Sequence, residues 1–128
     1  MYIKVNPDSG IPLYLQIIKQ LKYLVVCGAL KAGDQLPPVR DLAMQLRINP
    51  NTVIRAYHDL RYEKIITSKW GEGTFISEEV AKIAESEKKK IIAEALDQAI
   101  HQATSLGLTK EEIIQIFTNQ LKQTKGEK

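Results

Sequence analysis

The stretch Arg47-Ile48-Asn49-Pro50 constrains this chain more than any other. One helical pattern ends there and another begins within three residues. Asn49 is a favoured N-cap and Pro50 a favoured first helical residue. Before the turn, Val39, Leu42, Ala43 and Leu46 repeat at helical spacing, with Arg40, Asp41, Gln45 and Arg47 on the other side. After it, Val53, Ala56, Tyr57 and Leu60 form a second stripe, and Asn51, Thr52, Arg55, His58 and Asp59 lie away from it. Two helices joined by so short a turn must share one core.

The flanking pattern extends this reading. A helix starts near Pro12, carries Leu13, Ile17, Leu21, Leu24 and Val25, and closes at Gly28. Lys31–Pro38 reads as a turn-rich connection. Ile65-Ile66-Thr67 and Thr74-Phe75-Ile76 are short β runs around the turn Lys69-Trp70-Gly71-Glu72-Gly73, a two-stranded hairpin. From about Ser77 a long amphipathic helix runs to Leu106 and stops at Gly107. Thr109 and Glu112 make a capping box for a last helix, and the tail after Gln123 is polar. All five prolines precede Ser77. Residues 1–77 carry ten Lys/Arg against six Asp/Glu, a charge of +4, and residues 78–128 carry eight Lys against nine Asp/Glu, −1. The expected fold is therefore mostly α with a small β-hairpin. It comprises a winged helix-turn-helix head over residues 1–77 and a two-helix C-terminal dimerisation tail over residues 78–128.

Composition narrows the function. A lone Cys27 excludes an internal disulfide framework and a multi-cysteine zinc site, and points to a reducing compartment. It reads as a buried structural thiol rather than a redox sensor. No apolar run approaches membrane-spanning length, and the N-terminus lacks a signal-peptide core, so a cytoplasmic location is expected. No Ser/His/Asp set, paired metal ligands or phosphate-binding loop is present, so neither a catalytic residue, a metal nor a cofactor is expected.

The outward face of the third helix carries the functional reading. Asn51, Thr52 and Arg55 cluster near its N-terminus, on one side. A recognition helix points such residues at base edges in the major groove, where Asn suits adenine and Arg suits guanine or phosphate. The helix N-terminus adds partial positive charge. Gly71-Glu72-Gly73 permits close backbone approach at the hairpin tip. A winged helix used only for protein contacts is the alternative, and steep salt dependence would separate DNA binding from it.

In order and spacing, residues 11–77 resemble the DNA-binding domain of the GntR family of bacterial transcription regulators. The matching stretches are Pro12-Leu13-Tyr14 with Gln16-Ile17, Gly28-Ala29-Leu30, Gly33-Asp34, Leu36 through Ala43, Asn49 through Val53 with Arg55-Ala56-Tyr57 and Leu60, and Gly71 through Ile76. The Asn-Pro-Asn-Thr-Val wording and the short helical tail resemble the YtrA subfamily in particular. The resemblance implies that Arg40 contacts DNA at the start of the second helix. It implies that Asn49, Asn51, Thr52 and Arg55 meet phosphates and groove edges, and that Gly71 and Gly73 carry the wing tip to the minor groove. Four residues depart from the pattern. Pro38 replaces a frequent Ser or Thr, Pro50 a base-reading Arg of several subfamilies, Lys64 a usual Gly, and Trp70 a frequent wing Arg. Lys69 is the electrostatic substitute expected for that arginine, with Trp70 either packed against the wing or laid along a sugar face.

The apolar seam of the tail is too wide for an isolated helix and points to a homodimer, the alternative being that the tail folds back on the head as core. Lys88-Lys89-Lys90 reads as a solvated face, offset by Glu85, Glu87 and Glu94. The expected partner is a double-stranded DNA operator of inverted-repeat form, bound in repression. The subfamily resemblance implies control of neighbouring transporter genes. The 51 residues of the tail leave no room for a dedicated sensor domain. A small-molecule effector, whose identity the sequence does not indicate, would have to use a crevice between head and tail or the dimer seam.

Overall fold

The computed structural model describes residues 2–125. The chain forms two compact units, one reaching to Lys88 and one starting at Lys89. In order, its elements are α1 (Leu13–Val26), β1 (Gln35–Leu36), α2 (Val39–Leu46), α3 (Pro50–Tyr62), β2 (Ile66–Lys69), β3 (Gly73–Ile76), α4 (Val80–Ser105) and α5 (Lys110–Lys125). The polar tail expected after Gln123 is thus helical as far as Lys125, and the rest of it lies outside the described residues. The architecture is a winged helix-turn-helix followed by two helices.

The core of the first unit gathers Ile17, Ile18, Leu21 and Val25 of α1, Leu42 and Ala43 of α2, and Val53, Ala56, Tyr57 and Leu60 of α3. Ile65, Ile66 and Ile76 close it from the sheet. The stripe expected on α3 is buried throughout, and on the α2 stripe Leu42 and Ala43 are buried while Val39 and Leu46 are half-buried. On α1 the buried face is centred slightly further round, on Ile17, Ile18, Leu21 and Val25, with Leu13, Tyr14 and Leu24 half-buried at its edge. A segment before α1 adds to this core. Gln16 accepts from the Asn6 N–H at 2.8 Å and donates to the Ile11 carbonyl at 2.8 Å, while Gln20 accepts from the Lys4 N–H at 3.0 Å. These bonds hold Ile3 buried.

The wing is larger than a hairpin. Its three antiparallel strands run β1-β3-β2, with Gln35 opposite Phe75, Leu36 opposite Thr74, and Lys69 opposite Gly73. The expected turn-rich connection Lys31–Pro38 therefore contains a strand. At two residues it has no periodicity of its own, and its pairing with β3 defines it. Bonds from Gly33 N–H to the Ile76 carbonyl at 2.9 Å and from Ile76 N–H to the Asp34 carbonyl at 2.7 Å continue that ladder.

Four helices end in one way. Their final carbonyls are closed by paired i+5 and i+3 N–H groups around a left-handed residue, at Gly28, Arg47, Lys64 and Gly107. Two of these stops are not glycine: Arg47 has φ 58° and Lys64 φ 65°. They flank the recognition helix on both sides. A side chain in this region costs about 1–2 kcal/mol, so the chain holds modest strain where α3 begins and ends. This is the physical consequence of Lys64 standing in place of glycine. At α3, the Ile65 N–H meets the Leu60 carbonyl at 3.0 Å, and both side chains are buried.

Lys22 links three helices of the first unit. Its Nζ lies 2.8 Å from Glu63 at the end of α3 and 3.8 Å from Glu87 of α4. Helix α4 starts at Val80 rather than at Ser77, because the Ser77 hydroxyl accepts the Glu79 N–H at 3.0 Å and holds a separate turn ahead of it. The Thr109–Glu112 capping box forms in both directions, at 2.8 and 3.2 Å. Cys27 is exposed, contrary to the buried thiol expected. It follows α1, out of phase with Ile17, Leu21 and Val25, just where Gly28 turns the chain outward.

Replacing Lys64 with Gly should stabilise the chain by about 0.5–1 kcal/mol in urea unfolding, by relieving the left-handed conformation. A null or negative change would contradict the strain argument.

Candidate nucleic-acid interface

Asn49 shapes the N-terminus of α3. Its side-chain oxygen accepts the Asn51 N–H at 2.8 Å, and Pro50 occupies the first turn. The oxygen of Asn49 is thereby committed to the cap. No acidic residue lies in the first turn, so the partial positive charge of this helix end is not offset locally.

Asn51 and Arg55 lie on the face opposite Val53, Ala56, Tyr57 and Leu60, and both are exposed. One and two turns on, the same face presents His58 and Tyr62, with Ile54 beside them. Thr52 sits on the half-buried flank, one step away from this face. The structure thus brings Asn51 and Arg55 together on one face and sets Thr52 at its side. Sequence reasoning gave no role to Ile54 and Tyr62, whose apolar character reads as core although the helix phase turns both outward.

Arg55 is held in place. Its guanidinium carbon lies 3.7 Å from the centre of the Tyr14 ring. A cation stacked this way is attracted by the ring face, and a planar guanidinium on a ring keeps its in-plane N–H donors available. Tyr14 is the positioning partner that the sequence reading missed. Its place on the buried side of α1, between Ile17 and Ile18 in phase, was the signal for it.

Tyr57 ties α3 to the segment between β1 and α2. Its hydroxyl donates to the Pro37 carbonyl at 2.7 Å, and burial pushes that hydroxyl well above the usual tyrosine range. Arg40 projects from the first turn of α2 and is exposed. Helix α2 has no side-chain cap, because Pro38 stands at its N-cap. Among the described residues, no ion pair involves Arg40, Arg55 or Lys69. Cations without acidic partners suit a polyanion, whose counterions they would displace.

The wing tip is braced. Lys69 Nζ lies 4.8 Å from the Phe75 ring centre, and the Glu72 N–H returns to the Lys69 carbonyl at 2.9 Å. Gln35 of β1 donates to the Glu72 carbonyl at 3.1 Å. Gly73 has φ 124°, and a Cβ there would come within 2.8 Å of the Gln35 amide nitrogen. Gly71 has φ 76° but open space around it. Among the described residues, no group of three or more His, Cys, Asp or Glu side chains is placed to hold a metal ion. No helix there is long and apolar enough to cross a membrane.

The family model for bacterial regulatory proteins of the gntR family matches residues 13–76, the span from α1 to the end of the wing. This chain belongs to the GntR family. Among its relatives in Bacillus subtilis, the HTH-type transcriptional regulator YhcF is 42% identical over 84% of this chain and 88% of its own. The HTH-type transcriptional repressor YtrA is 42% identical over 87% and 85%. A solved transcriptional regulator from Oenococcus oeni superposes with a TM-score of 0.76 at 37% identity, covering 91% of this chain and 97% of that one. The chain is thus a YtrA-like GntR member, a DNA-binding transcription regulator and not an enzyme.

The two tip glycines should differ on substitution. Gly73→Ala meets both an unfavourable φ and the Gln35 amide, and should cost about 1–3 kcal/mol. Gly71→Ala meets only the φ cost, about 1 kcal/mol. Thermal unfolding of the two variants measures the order, and the reverse order would contradict the bracing role of Gln35.

Proposed function

We propose that this GntR regulator is a cytoplasmic repressor that binds an inverted-repeat operator as a homodimer, with a reading head at residues 1–77 and a dimerising tail at 78–128. The carrying observation is the exposed Asn51–Arg55 face of α3, beside a helix N-terminus free of acidic residues. Asn51 and Arg55 read bases, and Thr52 adds a contact at the edge of the groove. Arg40 and Lys69 hold phosphates, the Asn49 amide donates to the backbone beside the helix start, and Gly71 and Gly73 let the wing approach the minor groove. The name of the YtrA relative supports repression, and the subfamily resemblance points to transporter genes as targets. A small-molecule effector is the remaining partner in this reading.

The tail supports the homodimer. Ile92, Leu96 and Ile100 of α4 repeat at four-residue intervals and remain exposed. Ile114, Phe117 and Leu121 of α5 are each about half exposed. Such a surface marks an association site, and a two-fold axis gives each head one half-site, so that two weak contacts become one strong one.

Two experiments test this reading. Arg55→Ala should weaken binding to a selected duplex by about 1–3 kcal/mol and relax base preference, whereas Arg40→Ala should weaken all sequences alike and lower the salt slope by about one. Equal affinity of Arg55→Ala and the parent chain would remove the base-reading role. Sedimentation should show a dimer, and Ile114→Asp with Phe117→Asp should convert it to a folded monomer with weaker operator binding. A monomeric parent chain would overturn the assembly.

A further inference from the structure

Trp70 is the single tryptophan of the chain and is completely exposed. It does not pack against the wing. It stands on the three-residue tip between β2 and β3, which is held at both ends. The Glu72 N–H bonds back to Lys69, and Gln35 reaches across from β1 to the Glu72 carbonyl. The most apolar surface of the wing is therefore presented to solvent on a support that has already lost its conformational freedom. A large ring in such a position gains free energy only when something else covers it.

We propose that Trp70 is a DNA-contacting residue whose indole is buried against the sugar edges of the minor groove. The inference rests on the DNA-reading function above. Three features favour a groove over a protein partner. The neighbours Ser68, Lys69, Gly71 and Glu72 are polar or glycine and all exposed, so the indole is isolated and does not belong to an apolar patch. A stable protein interface needs about 800 Å² on each side, which a lone ring cannot supply. A single apolar side chain at a braced tip fits a narrow groove walled by deoxyribose, where such wedges are used. Lys69 supplies the ionic part of the wing contact, and the indole adds apolar area beside it.

The difference from an arginine contact can be measured. An ionic contact changes the dependence of affinity on salt, while an apolar one changes affinity at every salt concentration alike. Burying about 60 Å² of indole is worth about tenfold in affinity.

The test uses the full chain and a duplex that it selects from a random-sequence library. Trp70 emission should shift to the blue and become protected from acrylamide when that duplex binds. Trp70→Ala should lose about tenfold in affinity with the salt slope unchanged. Trp70→Arg should regain affinity with a slope steeper by about one. Because the ring is fully exposed, both variants should fold like the parent. If the duplex binds while Trp70 stays as accessible to acrylamide as in the free chain, or if Trp70→Ala binds equally well, the proposal is overturned and the DNA-reading function stands. If no duplex is selected, the DNA-reading function fails and the proposal fails with it.

Discussion

The hydrogen bond from the buried Tyr57 hydroxyl to the Pro37 carbonyl is the point on which the reading head depends. Helix α2 has eight residues and no side-chain cap, so it has little stability of its own. Tyr57 ties the chain just before α2 to the middle of α3. The two preceding residues extend the same tie. Leu36 is buried in the core and pairs with β3, and Gln35 reaches the wing tip. Three consecutive residues thus connect wing tip, core and recognition helix. This segment joins α3 to the wing beside the direct link through Ile65 and Ile66.

The same segment shows what the sequence could and could not reveal. Helices α2 and α3 were legible because their apolar residues recur at helical spacing and because Asn49-Pro50 marks a start that few other pairs allow. The capping box at Thr109 and the stop at Gly107 were legible for the same local reason. Strand β1 was not, since two residues have no period and the strand exists only through its partner. The Tyr14–Arg55 stack was also hidden, because it joins residues 41 apart on different helices. Arg55 looked like a solvated side chain free to search for a base. It is instead stacked and oriented before any ligand arrives.

Local strain surrounds the reading surface. The left-handed stops at Arg47 and Lys64 flank α3, where Gly28 and Gly107 do the same task elsewhere at lower cost. At the site, residue types also break the usual inside–outside pattern: Ile54, Tyr62 and Trp70 are large and exposed. Residue type alone assigns Ile54 and Tyr62 to the core, so this part of the candidate surface is less visible from sequence than the scaffold beneath it.

In the proposed assembly the tail brings in a second copy of the chain, so that two heads read one operator. Hydroxyl-radical footprinting of a selected duplex tests it most directly. Two protected patches, separated centre to centre by about 10 base pairs or a multiple of that, are the outcome the account predicts. A single protected patch, or uniform protection along the duplex, would contradict it.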